Sequence, residues 1–178
     1  MTREGDLKLI LKALGFAARK HKDQRRRDVE ASPYNNHPIT LANILCNEAH
    51  VTDNEVICAA LQHDTEEDTD TTEAELAQEF GITMCGIVMD VTDDKALRKR
   101  ERKQRQIDHA AHISDKAKLV KLADKISNLR DMASCPPAGW DLDRRREYFD
   151  WAKAVIDRLR GVHGALEAIF DEAYARRP

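Results

Sequence analysis

Apolar residues recur along this chain at intervals of three and four positions, which is the spacing of one face of an α-helix. Three stretches show the pattern most clearly, with apolar stripes made of Leu7, Ile10, Leu11, Leu14 and Ala18, of Met84, Ile87, Val88 and Val91, and of Leu119, Leu122, Ala123 and Ile126. Alternation with a period of two, which is typical of half-buried strands, is confined to short pieces. The pattern therefore predicts an all-α protein.

Residues that begin and end helices divide the chain at regular points. Pro38 suits the first turn of the helix in the segment HPITLANILCNEA. The sequence TDNE at 52–55 is a capping box that starts the next helix, Thr72 caps the one after it, and Gly81 ends that helix. No internal repeat or low-complexity linker interrupts the sequence. We therefore expect residues 1–178 to form a single helical bundle of about eight to ten helices.

Composition and charge narrow the class of protein further. Charged residues make up 34% of the 178 positions, but 29 basic and 32 acidic residues leave a formal net charge of only −3. This balance lacks the basic excess of a protein that binds nucleic acid or an anionic membrane. The longest uncharged apolar run, Val56–Leu61, is far shorter than the roughly 18 residues of a membrane span. Lys8 and Lys12 interrupt the N-terminal apolar residues, so we expect no signal peptide.

The four cysteines also bear on the location of the protein. They lie far apart in the sequence and form no C-x-x-C pair. Such spacing is not typical of a zinc site or of a disulfide framework. We interpret them as reduced thiols of the core and expect a cytoplasmic protein.

The segment LQHDTEEDTDT, at 61–71, is the first candidate for chemistry. It places a histidine and five carboxylates directly after the apolar run VICAAL. A helix that continues from Thr52 to Asp68 brings four of these groups to the side of the buried stripe: His63, Asp64, Glu67 and Asp68. Charges at the inner end of a buried face are costly unless they are paired or bound to a cation. The segment therefore favours a metal site, with a solvated helix end as the alternative.

A metal ion held here would need ligands from other parts of the chain. His37 stands between Asn36 and Pro38 at a predicted helix start, where the turn would fix its ring. Asp124 interrupts the sequence KLVKLADKI in the middle of a helix that is otherwise apolar on one face. Each of them alone is more often a solvated or locally hydrogen-bonded residue. Together with the His63-Asp64 pair they give the order H…HD…D.

With this order of residues the sequence resembles the HD-domain metal-dependent phosphohydrolases. It is most similar to the hydrolase domain of the RelA/SpoT alarmone enzymes, and within them to the stand-alone Mesh-type small alarmone hydrolases. The resemblance extends from about Phe16 to Gly161. Six blocks carry it in order and spacing: QRRRD, PYNNHP, HDTEEDTD, VTDDK, KLADKISNLRD and GW…REYFDWAK.

The resemblance implies an all-helical HD domain that binds one divalent metal, usually Mn²⁺. It also implies an enzyme that removes pyrophosphate from the 3′ position of (p)ppGpp to give GDP or GTP. By matched position, the metal ligands are His37, His63, Asp64 and Asp124, and the catalytic pair is Glu67 and Asp68. The positions associated with the substrate are Arg26, Arg27, Lys99, Asn128 and Tyr148.

Elementary chemistry agrees with these implied roles. Two imidazoles and two carboxylates, without a thiolate, suit Mn²⁺ better than a structural zinc ion. Glu67 follows His63 by one helical turn, so it can act on a water molecule as a base or orient it. The run Arg25-Arg26-Arg27 offers fork-shaped donors for phosphate, although a solvated basic loop is an equal alternative. Tyr148 is equally explained as a core residue.

Four positions depart from the pattern of the resembled family: Asn35, Gln62, Glu66 and Arg27. Glu66 stands where an apolar Val or Ile is usual, and it adds negative charge beside the expected metal. Gln62 replaces a residue that is commonly Leu, and Arg27 replaces a frequent Lys. We expect these changes to affect rate or substrate preference rather than the fold.

Two other functions compete with (p)ppGpp hydrolysis. The same metal site would act on another nucleotide phosphate, such as the 2′-phosphate of NADPH. A helical binding module without turnover is the other alternative, with Lys95–Arg105 as its interaction face for nucleic acid or protein. We expect a small-molecule nucleotide as the ligand, with neither nucleic acid nor a membrane as a partner. The sequence does not indicate an oligomeric state.

Overall fold

The computed structural model describes residues 4–26 and 30–178, and helices make up nearly all of their regular structure. The α-helices are α1 Glu4–Lys20, α2 Asn36–Asn43, α3 Asn54–Gln62, α4 Thr65–Asp68, α5 Glu73–Phe80, α6 Ile82–Val91, α7 Lys99–His109, α8 Asp115–Ser134, α9 Leu142–Ile156 and α10 Gly164–Tyr174. Within these described ranges the only β-pairing is an isolated bridge between Arg25 and Pro33. The all-α prediction is confirmed.

Helix α8 lies at the centre of the fold. It packs against α2, α3, α6, α9 and α10. Ser114 caps its start by accepting a hydrogen bond from the amide of Ala117. Leu122, Ala123 and Ile126 are completely buried, as their spacing predicts, and each large apolar side chain contributes about 1.5–3 kcal/mol by its burial. Asp124 therefore projects from the most enclosed helix of the protein.

The face that α1 turns to the core differs from the predicted one. Leu7 and Leu11 are 55% and 57% exposed, whereas Ala13, Phe16 and Ala17 are buried. Helix α1 packs on α3, where the small side chains of Ala13 and Ala17 allow the helices to approach each other closely. Phe16 meets Phe80 edge to face, with 5.3 Å between the ring centres. The predicted stripe is confirmed for Ile10 and Leu14, which pack against the core, but it was wrong for Leu7 and Leu11.

The ends of the helices follow the predicted signals with one exception. Thr72 accepts a hydrogen bond from the amide of Glu75 at the start of α5, and Gly81 ends that helix with a φ of 87°. Both predictions are confirmed. Helix α3 begins differently, because Asp53 rather than Thr52 caps it by accepting hydrogen bonds from two backbone amides. The predicted capping box at 52–55 was therefore wrong.

The helix that carries the acidic segment is broken at its most charged point. Helix α3 ends at Gln62, and Asp64 leaves the helical conformation with φ and ψ of −110° and 0° before α4 begins. The hydroxyl of Thr65 donates to the carbonyl of Gln62 at 2.8 Å and so satisfies a helix end. The continuous helix from Thr52 to Asp68 was therefore an incorrect prediction, because the chain turns at the HD pair.

A π-helical turn at Ile44–Glu48 joins α2 to the rest of the bundle. Ile44 and Leu45 are completely buried in it. Glu48 forms a two-pronged ion pair with Arg130 of α8, at 2.9 and 2.8 Å. These contacts fix α2 against α8, so the first turn of α2 faces the middle of α8.

Membrane spans and disulfides are both absent from the part of the chain that the structure describes. None of its helices combines the length and the apolar character needed to cross a bilayer. All four cysteines are free thiols, as expected from their spacing. Cys58 and Cys85 are buried, but Cys135 is exposed, so it is not the core thiol that was predicted.

Candidate active site

Three distant parts of the chain meet at the middle of α8. His37 lies in the first turn of α2, and its Nε2 is 3.2 Å from Oδ1 of Asp124. His63 follows α3, and its Nε2 is 4.0 Å from the same carboxylate oxygen. One donor atom from each of these residues lies within 4.8 Å of the others. The three side chains can therefore bind a common ion.

Asp64 lies beside this group of three, at the helix break. Its Oδ2 lies 2.8 Å from Nε2 of His63 and accepts a hydrogen bond from the hydroxyl of Tyr34. The turn between α3 and α4 aims this carboxylate toward the two histidines. All four predicted ligands are thus neighbours, although the helix expected to present two of them is interrupted.

The donor atoms fit a metal ion, as the environment of His63 indicates. Nδ1 of His63 donates to the carbonyl of Ala60 at 2.8 Å, which directs the lone pair of Nε2 into the cluster. This Nε2 is buried, and its near neighbour is the carboxylate of Asp64, with Oδ2 at 2.8 Å. A cation at the centre of the four side chains would satisfy this atom. Nδ1 of His37 is anchored in a similar way, 3.2 Å from the hydroxyl of Ser127.

Positively charged groups inside the cluster offset the negative charge of its crowded carboxylates. Burial alone lowers the pKa of His63, but the charges of Asp64 and Asp124 outweigh it and raise the pKa to about 9. Burial raises the pKa of Asp124, yet the Lys125 ammonium, 3.0 Å from its Oδ2, and the ring of His37 hold that pKa well below the usual value. A proton on His63 thus occupies the place that a cation would take.

Glu67 faces the same cavity as the four candidate ligands. Its Oε2 accepts a hydrogen bond from the backbone amide of Asp93 at 3.2 Å. Burial, together with the charges of Asp64 and Asp93, raises the pKa of Glu67 to about 7. A carboxyl group with this pKa exchanges protons readily near neutrality, which is the property of a general base.

Asp68 lies nearer to the rim. Its side chain pairs with Lys95 and is 34% exposed, while its carbonyl accepts a 2.5 Å hydrogen bond from Gln24. Asp70, two residues later, is 88% exposed and pairs with Lys20. The acidic segment therefore divides into an inner part that lines the site and an outer part that is a solvated helix end.

Two connected cavities surround these residues. The first, of about 560 Å³, contains the four candidate ligands. Its wall is charged, with acidic groups from Asp64, Glu67, Asp68, Asp93 and Asp124 and basic groups from Arg25, Arg26, Lys121 and Lys125. The second, of about 710 Å³, is less polar and shares Arg26, His37 and Asn128 with the first.

The residues predicted to contact the substrate are distributed unevenly around these cavities. Arg26 and Asn128 line both, with Arg26 bound to Asp131 at 2.6 Å and Asn128 bound to Asp124 at 2.6 Å. Tyr148 lines the second cavity, and burial raises its pKa to about 12. Lys99 is exposed, 5.9 Å from the ring of Trp140, and it lines neither cavity.

The prediction for Arg27 falls on residues 27–29, which lie outside the described part of the chain.

Several residues at the site carry no signal that sequence reasoning used. Tyr34 binds Asp64 and stacks on the buried ring of His21, with 4.7 Å between the ring centres. Asp93 holds Glu67, and Lys125 lies beside Asp124. The blocks PYNNHP, VTDDK and KLADKISNLRD contain Tyr34, Asp93 and Lys125 and could have indicated them, but their contacts form only in the folded chain.

Comparisons with known proteins agree with this geometry. A family model described as an HD domain matches residues 13–150. The chain is 52% identical over 169 residues to guanosine-3′,5′-bis(diphosphate) 3′-pyrophosphohydrolase MESH1 of Danio rerio, covering 95% of this chain and 94% of that protein. The human protein of the same name is 51% identical over 168 residues, with 94% of each chain covered. A solved structure described as a metazoan ortholog of SpoT that hydrolyses ppGpp superposes with a TM-score of 0.92 and 48% identity, covering 95% of each chain.

Proposed function

The chain belongs to the HD-domain family, and from that membership we propose that it is a metal-dependent hydrolase that removes pyrophosphate from the 3′ position of (p)ppGpp, giving GDP or GTP. The observation that carries the proposal is the meeting of His37, His63, Asp64 and Asp124 beside Glu67 in one charged cavity. A second, less polar cavity of about 710 Å³ adjoins it. The named relatives, which the chain covers over 94% of their length, support this substrate.

The HD domain implies a divalent metal, and we propose Mn²⁺ held by His37, His63 and Asp124, whose donor atoms lie close together, and by the neighbouring Asp64. Nitrogen and carboxylate oxygen donors without a thiolate favour such a first-row ion over a structural zinc ion. When bound, the cation lowers the pKa of water and offsets negative charge on the phosphate oxygens. The protein's contribution is to hold the imidazoles in the right tautomer, through Ala60 for His63 and Ser127 for His37.

Glu67 is the group that takes the proton from the attacking water. It is partly buried at the wall of the cavity, and its raised pKa of about 7 makes it a stronger base than an exposed carboxylate. Asp68 pairs with Lys95 at the rim and so holds the segment that carries Lys95 against the site. Glu67 thus transfers the proton, and Asp68 positions the groups around it.

Basic and amide side chains bind the rest of the nucleotide. Arg26 and Asn128, which line both cavities, are in position to contact phosphate and ribose, and Tyr148 lines the less polar cavity as a surface for the base. Arg27, which lies outside the described residues, is proposed from the family resemblance alone to contact the polyphosphate. Lys99 is exposed and lines neither cavity, so we propose only that its charge attracts the polyphosphate from the surface of α7. Lys121 and Lys125 add two buried ammonium groups to the first cavity, which favours a substrate with several negative charges.

We further propose that residues 1–178 are a single catalytic domain whose partner is a small nucleotide rather than nucleic acid or a membrane. The near balance of 29 basic and 32 acidic residues supports this choice. Free, dispersed cysteines support a cytoplasmic location.

Pyrophosphate release tests the proposed function. Purified protein loaded with Mn²⁺ is incubated with ppGpp, pppGpp, NADPH and GTP, and pyrophosphate and phosphate are measured separately. We expect the highest kcat/KM with ppGpp and pppGpp, pyrophosphate as the product, and no turnover after chelation until Mn²⁺ is restored. Asp124→Ala removes a ligand and abolishes turnover.

Asp171→Ala is the matched control, because Asp171 pairs with Arg160 at the surface of α10. It is expected to retain wild-type turnover. Phosphate release from NADPH with a higher kcat/KM than that for ppGpp would assign the site to another nucleotide. Full activity of the chelated protein would contradict the metal-dependent mechanism.

A further inference from the structure

The segment between α6 and α7 contributes Asp93 to the wall of the first cavity. Helix α6 ends at Val91, whose carbonyl accepts a hydrogen bond from Nζ of Lys121 at 3.2 Å. Lys95, farther along the segment, pairs with Asp68. Residues 92–95 are thus irregular backbone held at both ends against the site.

The middle of this segment makes the contact that orients Glu67. The backbone amide of Asp93 donates to Oε2 of Glu67 at 3.2 Å. Within the described ranges this is the only hydrogen bond that the carboxylate of Glu67 makes. A non-helical amide has no helical hydrogen bond to fix its direction. The orientation of Glu67 therefore depends on what holds Asp93.

Gln106 holds Asp93 from the neighbouring helix α7. Its Nε2 donates to Oδ2 of Asp93 at 2.5 Å. Helix α7 is itself fixed to α9, because the indole of Trp151 donates to the carbonyl of Lys103 at 3.0 Å. Helix α7 thus holds Asp93 through the side-chain amide of Gln106, and Asp93 in turn holds Glu67.

The environment of Gln106 indicates that its role is more than structural. Its Oε1 is buried and has no hydrogen-bond partner, which costs about 1–3 kcal/mol for an amide oxygen. A positively charged donor would bind Asp93 more strongly, but its charge would make the nearby Glu67 a weaker base. A neutral amide donor fixes the loop without that loss.

We propose that Gln106 is a positioning residue that, through Asp93, holds the carboxylate of Glu67 in the orientation for proton transfer; this role rests on the proposed function of the site. Gln106 lines the first cavity, but within the described ranges its side-chain hydrogen bond goes to Asp93 and not to a candidate metal ligand, to Arg26 or to Asn128. Its loss should therefore lower kcat while leaving metal binding and KM nearly unchanged.

The kinetic test compares Gln106→Ala with a matched control on the same helix. Gln104 also donates from its Nε2 to an aspartate, Asp108, at 3.0 Å, but this pair is exposed. Gln106→Ala is expected to lower kcat by about 10- to 100-fold, with KM and the Mn²⁺ dissociation constant within about twofold of the wild type. Gln104→Ala is expected to match the wild type in all three.

A charge-conserving exchange separates positioning from folding. Gln106→Glu removes the donor and faces Asp93 with a second carboxylate, so it should lower kcat at least as much as Gln106→Ala. Combining it with Asp93→Asn reverses the direction of the hydrogen bond and restores the contact, so kcat should recover by about tenfold or more. If Gln106→Ala does not fold, the double variant still tests the proposal. A folded double variant whose kcat is no higher than that of Gln106→Glu would overturn it.

Amide hydrogen exchange provides a readout that does not depend on turnover. The amide of Asp93 is expected to exchange about tenfold faster in Gln106→Ala than in Gln104→Ala, because the loop that presents it is released. Equal exchange rates in the two variants, or equal kcat values, would disprove the role of Gln106. Absence of ppGpp turnover in the wild type would instead refute the proposed function, and the exchange comparison would then decide the positioning role alone.

Discussion

Nε2 of His37 lies 3.2 Å from Oδ1 of Asp124, although 87 residues separate them in the sequence. The contact joins the first turn of α2 to the middle of α8. The other carboxylate oxygen of Asp124 faces the ammonium of Lys125 at 3.0 Å. One partly buried acidic group therefore connects the candidate metal site to the central helix of the fold.

Asp124→Ala is predicted to destabilise the metal-free protein as well as to abolish metal binding. Lys125 is 4% exposed, so loss of its partner leaves a buried charge without compensation, which costs about 3–5 kcal/mol. Urea unfolding measured with and without Mn²⁺ tests both effects. In the wild type, Mn²⁺ at 100 times its dissociation constant should add about 2.7 kcal/mol to the free energy of unfolding.

The double variant Asp124→Ala, Lys125→Met is the control for this prediction. It removes the stranded charge, so it should recover most of the lost stability but none of the stabilisation by Mn²⁺. Equal unfolding free energies of the wild type and Asp124→Ala would show that the buried pair does not have the assigned role.

Tyr34→Phe is predicted to weaken metal binding by about 10- to 100-fold, because the Tyr34 hydroxyl orients the carboxylate of Asp64. Calorimetric titration with Mn²⁺ measures the change. Tyr174→Phe is the matched control, since Tyr174 donates to an exposed aspartate, Asp150, at 3.1 Å. Equal metal affinities of the two variants would contradict a role for Tyr34 at the site.

Metal binding is predicted to release a proton. The pKa of His63 is raised from 6.5 to about 9 in the metal-free protein, so the ring is protonated below that pH and must lose its proton to bind a cation. The apparent affinity for Mn²⁺ should therefore rise by about tenfold per pH unit and level off above about 9. Titration calorimetry in buffers of different ionisation enthalpy counts the protons. An affinity that is independent of pH below 9 would refute this prediction.

The same shift predicts how the stability of the metal-free protein depends on pH. Because the folded pKa of His63 lies above its unfolded value of 6.5, the stabilisation from its proton is fully present below about 6.5. It is lost as the pH rises through about 9. The midpoint of urea unfolding, measured on chelated protein across this range, should fall accordingly, and His63→Ala should remove the decrease.

Glu67→Gln is predicted to lower kcat by about 10²- to 10⁴-fold with little change in metal affinity, because the amide cannot accept a proton. The pKa of about 7 adds a pH signature to the wild type. A base must be ionised to act, so kcat should rise with pH through about 7, or through a lower value where the bound cation favours ionisation. A Glu67→Gln variant with wild-type kcat would eliminate Glu67 as the base.

Much of the candidate site was predictable because its proposed ligands are charged or polar residues within otherwise apolar helical segments. Asp124 interrupts an apolar helix, and the His63-Asp64 pair ends a buried one. A charge in such a place is costly unless something compensates for it, so the sequence itself points to a binding role. The reaction was then predicted from the six sequence blocks that match the RelA/SpoT hydrolase domain in order and spacing.

The supporting contacts could not be predicted in the same way. Asp93 and Glu67 are 26 residues apart, and no periodicity relates them. Gln106 lies in a charged helix whose sequence is typical of a solvated face. Only the packing of α7 on α9 brings its amide to the loop.

Two incorrect predictions of local structure have clear physical causes. On α1 the buried face is centred on Ala13, Phe16 and Ala17, so of the predicted stripe only Leu7 and Leu11 are left in solvent. After Gln62 the chain bends without a glycine or proline to mark the place. The bend is stabilised by the hydroxyl of Thr65 and by the bond from Tyr34 to Asp64, both of which depend on the folded surroundings.

A crystal structure of the Mn²⁺-loaded protein, with anomalous diffraction recorded at the manganese edge, tests the central claim most directly. The account predicts one anomalous peak per chain, within bonding distance of His37, His63, Asp64 and Asp124, and bonded to no other side chain. A peak bound elsewhere, or one that omits His37 or Asp124, would contradict it.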